Sequence, residues 1–179
     1  MVMKKLLRVL AIIIGLAVIG VFTVVITAVI YTLVSESTPA QQVYTKPITA
    51  DGLFLSVNEA RNTNGIPPLA RNAKLDESAR LKCEDMATSN YYAHDNPATG
   101  FHGYDYIDKV GVEHNYASEN LNSGVFVDSK AAVTNWMASE AHRAAILDPK
   151  YTQTGFATCS VPNMGAGTVM VEHFVEPAT

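Results

Sequence analysis

Hydrophobic residues along this chain are grouped into one long uninterrupted run and then several shorter periodic ones. From Val9 to Val34 no position is charged and most are Ile, Val, Leu or Ala. At about 1.5 Å per residue this run reaches roughly 39 Å, more than the ~30 Å hydrocarbon core of a bilayer. Lys4, Lys5 and Arg8 precede it and no acid occurs before Glu36. That asymmetry predicts a single transmembrane helix with a cytoplasmic N-terminus and the rest of the chain outside. Cleavage as a signal peptide, with secretion of the remainder, is the alternative; the run is longer than an ordinary signal-peptide core.

After the run the pattern changes. Residues 35–48, SESTPAQQVYTKPI, are polar with two prolines and read as a linker. From Thr49 onward about 130 residues show helical and strand periodicity, enough for one core. Thr49 is placed to cap a helix with Leu53, Phe54, Val57 and Ala60 on its apolar face, ended by Asn64-Gly65. Asn72 opens a second helix, with Leu75, Ala79, Met86 and either Lys82 or Cys83 on one face, ending near Asn90. A short helix is predicted from about Phe101 to Val110. SENLNSG reads as an irregular segment or a short strand. Asp128 caps a helix bearing Ala132, Val133, Trp136 and Met137, and Ser139 opens another that stops before Asp148-Pro149. TGFATCSV and TVMVEHFVE, separated by Pro162, Asn163, Gly165 and Gly167, predict an antiparallel hairpin. Helices followed by strands indicate an α+β fold.

Charge narrows the partners. The whole chain carries 13 basic and 17 acidic residues. Residues 1–34 hold three of the basic residues and no acid, so the remainder has a net charge of −7. An acidic domain without a basic stripe or stacking aromatics is not expected to bind nucleic acid. Cys83 and Cys159 both lie in the presumed outside domain, where either a disulfide or two buried thiols fits.

Candidate chemistry sits on three separated segments. His94 follows the second helix in YYAHDNP, Glu119 lies in ASENL, and His142 falls in the first turn of the helix opened by Ser139. The helix's positive end disfavours imidazolium at His142, and neutral imidazole accepts protons or ligates metals. Two histidines and an acid converging on one cleft can bind a divalent ion with an open position. Scattered spacing does not itself establish that convergence. Trp136 reads as core, Arg143 as a surface salt bridge, Asn120 as a loop brace, and His173 as sheet surface or cleft rim.

The order of KLDESARLKCEDMA, YYAHDNP, ASENL, NWMASEAHRAAIL, YTQTGFA and VEHF resembles the CAP superfamily: the SCP domain of the cysteine-rich secretory, antigen 5 and pathogenesis-related-1 proteins. The bacterial branch is the nearest, and the resemblance covers roughly Leu53 to Val175. It implies an α-β-α sandwich around a small central antiparallel sheet, preceded here by the N-terminal transmembrane helix. The domains are then 1–34 (basic stub and membrane anchor), 35–48 (linker) and 49–179 (CAP domain). The resemblance also implies a cleft of two histidines and two acids, with His94, Glu119 and His142 matching three of them. Glu140 stands where bacterial relatives often carry proline, and is as readily a solvated first-turn acid.

Three functions follow. The first is a non-enzymatic binding module whose cleft takes a lipid, peptide or protein ligand, with zinc as its one candidate cofactor. The second is a zinc-dependent, peptidase-like hydrolase in which Glu119 ligates the metal or acts as base, although neither HExxH nor a nucleophile signature is present. The third is a purely structural His/Glu cluster.

Overall fold

The computed structural model describes residues 46–165 and 167–178, together with Thr23. Apart from Thr23, the Val9–Val34 run lies outside the described residues, as does the 35–48 linker up to residue 45. Among the described residues no helix is long and apolar enough to cross a membrane. The folded part lies within one compact unit, Tyr44–Thr179.

Helix α1 (Ala50–Thr63) begins where Thr49 accepts a bond from the Gly52 N–H at 3.0 Å, and it buries Leu53, Val57 and Arg61. Its end at Asn64 is followed by Gly65 at φ +72°, which glycine adopts without steric cost. A two-residue strand β1 (Ala70–Arg71) leads into helix α2 (Ala73–Ser89). Asn72 caps α2 through the Lys74 N–H, and Asn90, at φ 56°, closes it in the left-handed region. Lys82 and Cys83 both fall on its buried face, beside Leu75, Ser78, Ala79 and Met86.

Helix α3 (Asp105–Lys109) is shorter than the Phe101–Val110 expectation. Residues 102–105 are instead tied into a turn, the Asp105 carboxylate accepting the His102 N–H at 2.7 Å. Strand β2 (His114–Gly124) is the largest departure from expectation. SENLNSG is neither irregular nor short but the C-terminal part of an 11-residue strand. Its polar side chains are held by partners that periodicity cannot reveal.

Helix α4 (Ser129–Ala138) is capped by Asp128 through the Ala131 N–H at 2.8 Å. Helix α5 (Glu140–Leu147) follows after one residue. Ser139 terminates α4 and starts α5, yet its side chain makes no capping bond. Its N–H donates to the Trp136 carbonyl and its carbonyl accepts from the Arg143 N–H, so the backbone alone joins the two helices. Strands β3 (Gln153–Cys159) and β4 (Thr168–Pro177) form the expected antiparallel hairpin, with a 3₁₀ turn at Pro162–Met164 between them.

The sheet order is β1-β3-β4-β2. β2 and β3 both pair antiparallel with β4, while β1 adds two residues parallel to β3, so the sheet is mixed at that edge. Side chains alternate faces along each strand. Phe156, Met170 and Phe174 join Leu53, Val57, Trp136 and Ile146 beneath α1, α4 and α5. Leu121, Ala157, Val169 and Val171 join Ala79, Cys83 and Met86 beneath α2. These are two helical layers on one sheet.

Helix α2 approaches β3 very closely. A Cβ on Gly155 would come 2.1 Å from the Leu75 carbonyl carbon, so only glycine fits there. Cys83 and Cys159 tie the same layers together through a disulfide, with Cα atoms 5.9 Å apart. Trp136 is fully buried and its indole N–H donates to the Leu121 carbonyl at 3.0 Å.

Candidate functional site

Strand β2 points Glu119 to the α2 side of the sheet, opposite His173 of β4 in the register. The side chain of Glu119 is only 7% exposed, and both of its oxygens are engaged. Oε1 accepts from His94 Nδ1 at 2.7 Å and Oε2 lies 3.0 Å from His173 Nε2. Gly103 makes room for this carboxylate, since a Cβ there would meet it at 2.6 Å.

His94 is held at two points. Its side chain bonds Glu119, and its backbone carbonyl accepts from Lys82 Nζ at 2.7 Å. Lys82 is fully buried and also donates to the Tyr91 hydroxyl at 3.1 Å, with its ammonium 4.9 Å from that ring's centroid. Tyr91 in turn donates to Asp85, which accepts two bonds from Asn96. A buried polar ladder thus fixes the loop that carries His94. The ring itself stays 59% exposed.

His173, expected at the sheet surface or cleft rim, is instead fully buried. Helix α2 covers it, and Ser78 Oγ sits 2.7 Å from its Nδ1. The result is a continuous chain from Ser78 through His173 and Glu119 to His94. The single hydroxyl proton of Ser78 has both the Leu75 carbonyl, at 2.9 Å, and His173 Nδ1 within reach, while His173 Nε2 faces Glu119.

The other face of β2 reaches His142. Asn120 is buried and donates both to the His142 carbonyl at 3.3 Å and to Glu172 Oε2 at 3.5 Å. Glu172 is itself fully buried, with Thr154 Oγ1 3.3 Å from its other oxygen. Asn120 therefore braces an element across the sheet rather than its own loop. Arg143 donates to the Met137 carbonyl, which replaces the expected salt bridge. Glu140 is an exposed first-turn residue of α5.

Electrostatics separate these groups. The hydrogen bond to Glu119 raises the His94 pKa above the ordinary imidazole value, against the opposing effect of burial. Burial lowers the His142 pKa, and the nearby charge of His94 lowers it further. Burial pushes Glu119 up, but the bonds from His173 and His94 and the charge of Lys82 outweigh it, so the carboxyl stays below its usual range. Burial lifts Glu172 well above the carboxylate range despite Asn120, Thr154 and Arg61.

A groove runs past His94, lined by Asp95, Gly103, Tyr104, Ser118 and Glu119. His102 bonds Asp95 at 2.8 Å and stacks on Tyr104, 5.0 Å between centroids, and so shapes its rim. Among the described residues no three His, Cys, Asp or Glu side chains are grouped to hold a metal ion. With both Glu119 oxygens given to histidines, an ion held by this chain alone does not fit the set.

The model of the cysteine-rich secretory protein (CAP) family matches residues 55–174. The chain belongs to the CAP family. Two Bacillus subtilis (strain 168) proteins are similar to this CAP chain. The uncharacterized protein YkwD is 32% identical over 118 residues, 66% of this chain and 43% of its own length. The uncharacterized membrane protein YlbC is 34% identical over 98 residues, 55% of this chain and 28% of its own. The chain thus spans less than half the length of these curated relatives. Among solved structures, an extracellular protein containing a SCP domain from Bacillus anthracis str. Ames matches with a TM-score of 0.59 at 26% identity, covering 70% of this chain and 39% of that one. These bacterial relatives belong with the CAP fold seen here, a small sheet between helical layers.

Four important residues escaped sequence reading: Ser78, Glu172, and the fully buried roles of Lys82 and His173. One signal was present. TVMVEHFV is apolar on both alternating sets of positions, the mark of a strand covered on both faces. Glu172 and His173 had therefore to be buried, one on each side.

Proposed function

We propose that this CAP chain is a membrane-anchored, extracytoplasmic binding module whose ligand docks at His94. The supporting observation is the engagement of both Glu119 oxygens, at 2.7 and 3.0 Å, by His94 and His173. A carboxylate so placed orients an imidazole. His94 keeps Nε2 as the nitrogen available to a ligand, while its Nδ1–H is committed. The groove beside it is lined by polar and charged groups and by one exposed tyrosine. A peptide or protein segment can meet both its polar groups and its tyrosine ring.

Zinc enters this reading only as an ion arriving with donors of its own, to which His94 and His142 would add two nitrogens. Hydrolysis has less support, because a Glu119 bonded to two histidines is not free to act as a base. For the location, the uncharged Val9–Val34 run, the disulfide, and the names of YlbC and the B. anthracis protein point the same way.

The test is selection from a random peptide library against the full chain in nanodiscs. Enriched peptides should bind the parent and lose binding to His94→Ala, with the near-ultraviolet circular dichroism unchanged. Peptides that bind the variant equally well would overturn the reading.

A further inference from the structure

Strand β2 is an edge of the sheet, with β4 on one side and, among the described residues, no strand on the other. The bonding of β3 fixes which of its groups face outward. Ala70 and Asn72 donate to the Thr152 and Thr154 carbonyls, and the Phe156 N–H donates to Asp76, so the main chain of these even-numbered residues faces away from β4. The odd-numbered residues of β3 therefore bond β4 at Val175, His173 and Val171. That leaves Phe174, Glu172 and Met170 of β4 to bond β2 at Ser118, Asn120 and Asn122. The N–H and C=O of Ala117, Glu119 and Leu121 thus point to the open side. Leu121 agrees, since its carbonyl accepts the Trp136 indole N–H at 3.0 Å. The Tyr151 hydroxyl lies 3.5 Å from the Ala117 carbonyl. Among the described residues, neither main-chain group of Glu119 has a partner on that side.

The groove past His94 follows this open edge. Ser118 and Glu119 both line it, although their side chains point to opposite faces of the sheet. What two such neighbours can present to one groove is their shared main chain. We propose that a partner polypeptide docks here in extended form, adding a strand to β2 opposite Glu119; this rests on the peptide-binding reading above. An N–H and a C=O on one residue are matched by the same pair on an extended chain, whereas an acyl chain has no donor to give. The residue opposite Glu119 turns its side chain to the α2 face, toward His94 and the exposed Tyr104. Its two neighbours turn theirs to the other face, the side of His142. One strand therefore meets both histidine segments through alternate residues. The window is short: Trp136 closes it at Leu121, and the register shift between His114 and Tyr116 closes the other end.

The experiment uses the full chain in nanodiscs and peptides enriched from the random library, each resynthesised with a single N-methyl amide at successive positions. Main-chain pairing predicts an affinity loss of about tenfold or more at every second position and little loss between them. Residue-resolved hydrogen exchange supplies a second readout. In the free chain the Glu119 amide should exchange faster than those of Ser118 and Asn120, and bound peptide should slow it by about tenfold or more. If binding needs His94 but the N-methyl scan does not alternate and Glu119 is not slowed, the added strand is wrong and the peptide reading stands. If alternation and Glu119 protection appear equally with His94→Ala, the strand stands and the role of His94 falls. A Glu119 amide already as slow as Asn120 in the free monomer means that the edge is closed, and overturns the proposal. Protection that instead rises with protein concentration, alongside a dimer in sedimentation, names a second copy as the occupant and also overturns it. If no peptide is enriched, both readings fall.

Discussion

Glu119 on β2 and His173 on β4 are paired in the sheet register, and their side chains meet 3.0 Å apart on the face covered by α2. Glu119 thereby becomes the fixed point from which His94 is oriented. Its electrostatic consequences can be measured.

For His94 the sign of the linkage is definite. Its folded pKa is raised, so its pairing with Glu119 adds stability below the ordinary imidazole value of about 6.5, lost as pH rises through the folded value. Glu119 is lowered, so its contribution is present above the ordinary carboxylate range and lost as pH falls through the folded value. Histidine NMR titration of E119Q should show His94 returning toward 6.5. An unmoved His94 would mean that Glu119 does not set its protonation.

Glu172 should behave in the opposite way. Burial raises its pKa well above the usual range, so the folded state retains a proton that the unfolded chain releases as pH rises. The parent should lose stability over that interval and E172Q should not. The difference in urea midpoint between E172Q and parent should be small near pH 4 and grow in favour of E172Q toward neutrality. A constant deficit for E172Q would show that Glu172 is ionised, its charge offset by Arg61.

The Cys83–Cys159 bridge closes a loop with a sequence separation of 76. Chain entropy puts its worth at about 4 kcal/mol, and C83S/C159S should lower stability by roughly 2–4 kcal/mol. Denaturant titration of the pair against the oxidised parent checks it. No change would mean that the bridge does not constrain the unfolded chain.

Gly155→Ala would place a methyl 2.1 Å from the Leu75 backbone, where no side chain can yield. A loss of about 3 kcal/mol or more is expected, at the upper end for overpacking. Near-parental melting would show that α2 can lift away from β3.

Much of the fold could be read from the chain because capping and periodicity are local. Thr49 and Asp128 cap the helices they were expected to cap, Asn72 stands at the start expected of its helix, and the β3–β4 hairpin follows its alternation. β2 was obscured because Glu119, Asn120 and Asn122 look solvated in sequence. Each is instead matched by a distant partner: His94 and His173, the His142 carbonyl and Glu172, and the Ala132 carbonyl. Arg61 was hidden in the same way. It is buried on an otherwise apolar helix face because its guanidinium donates to the carbonyls of Pro67, Ile146, Asp148 and Tyr151. Satisfaction of that kind belongs to tertiary structure, and no local pattern carries it.

The adjacent pair Glu119 and Asn120 touches both histidines, one through each face of the sheet. A slip of β2 by a single position against β4 would turn the acid toward α5 and the amide toward α2. Both grips would be lost at once, so a misthreaded molecule could not keep the hold on one histidine segment without the other. Correct alignment of two strands and assembly of the His94–Glu119–His173 cluster are thus one event in the folding of this chain.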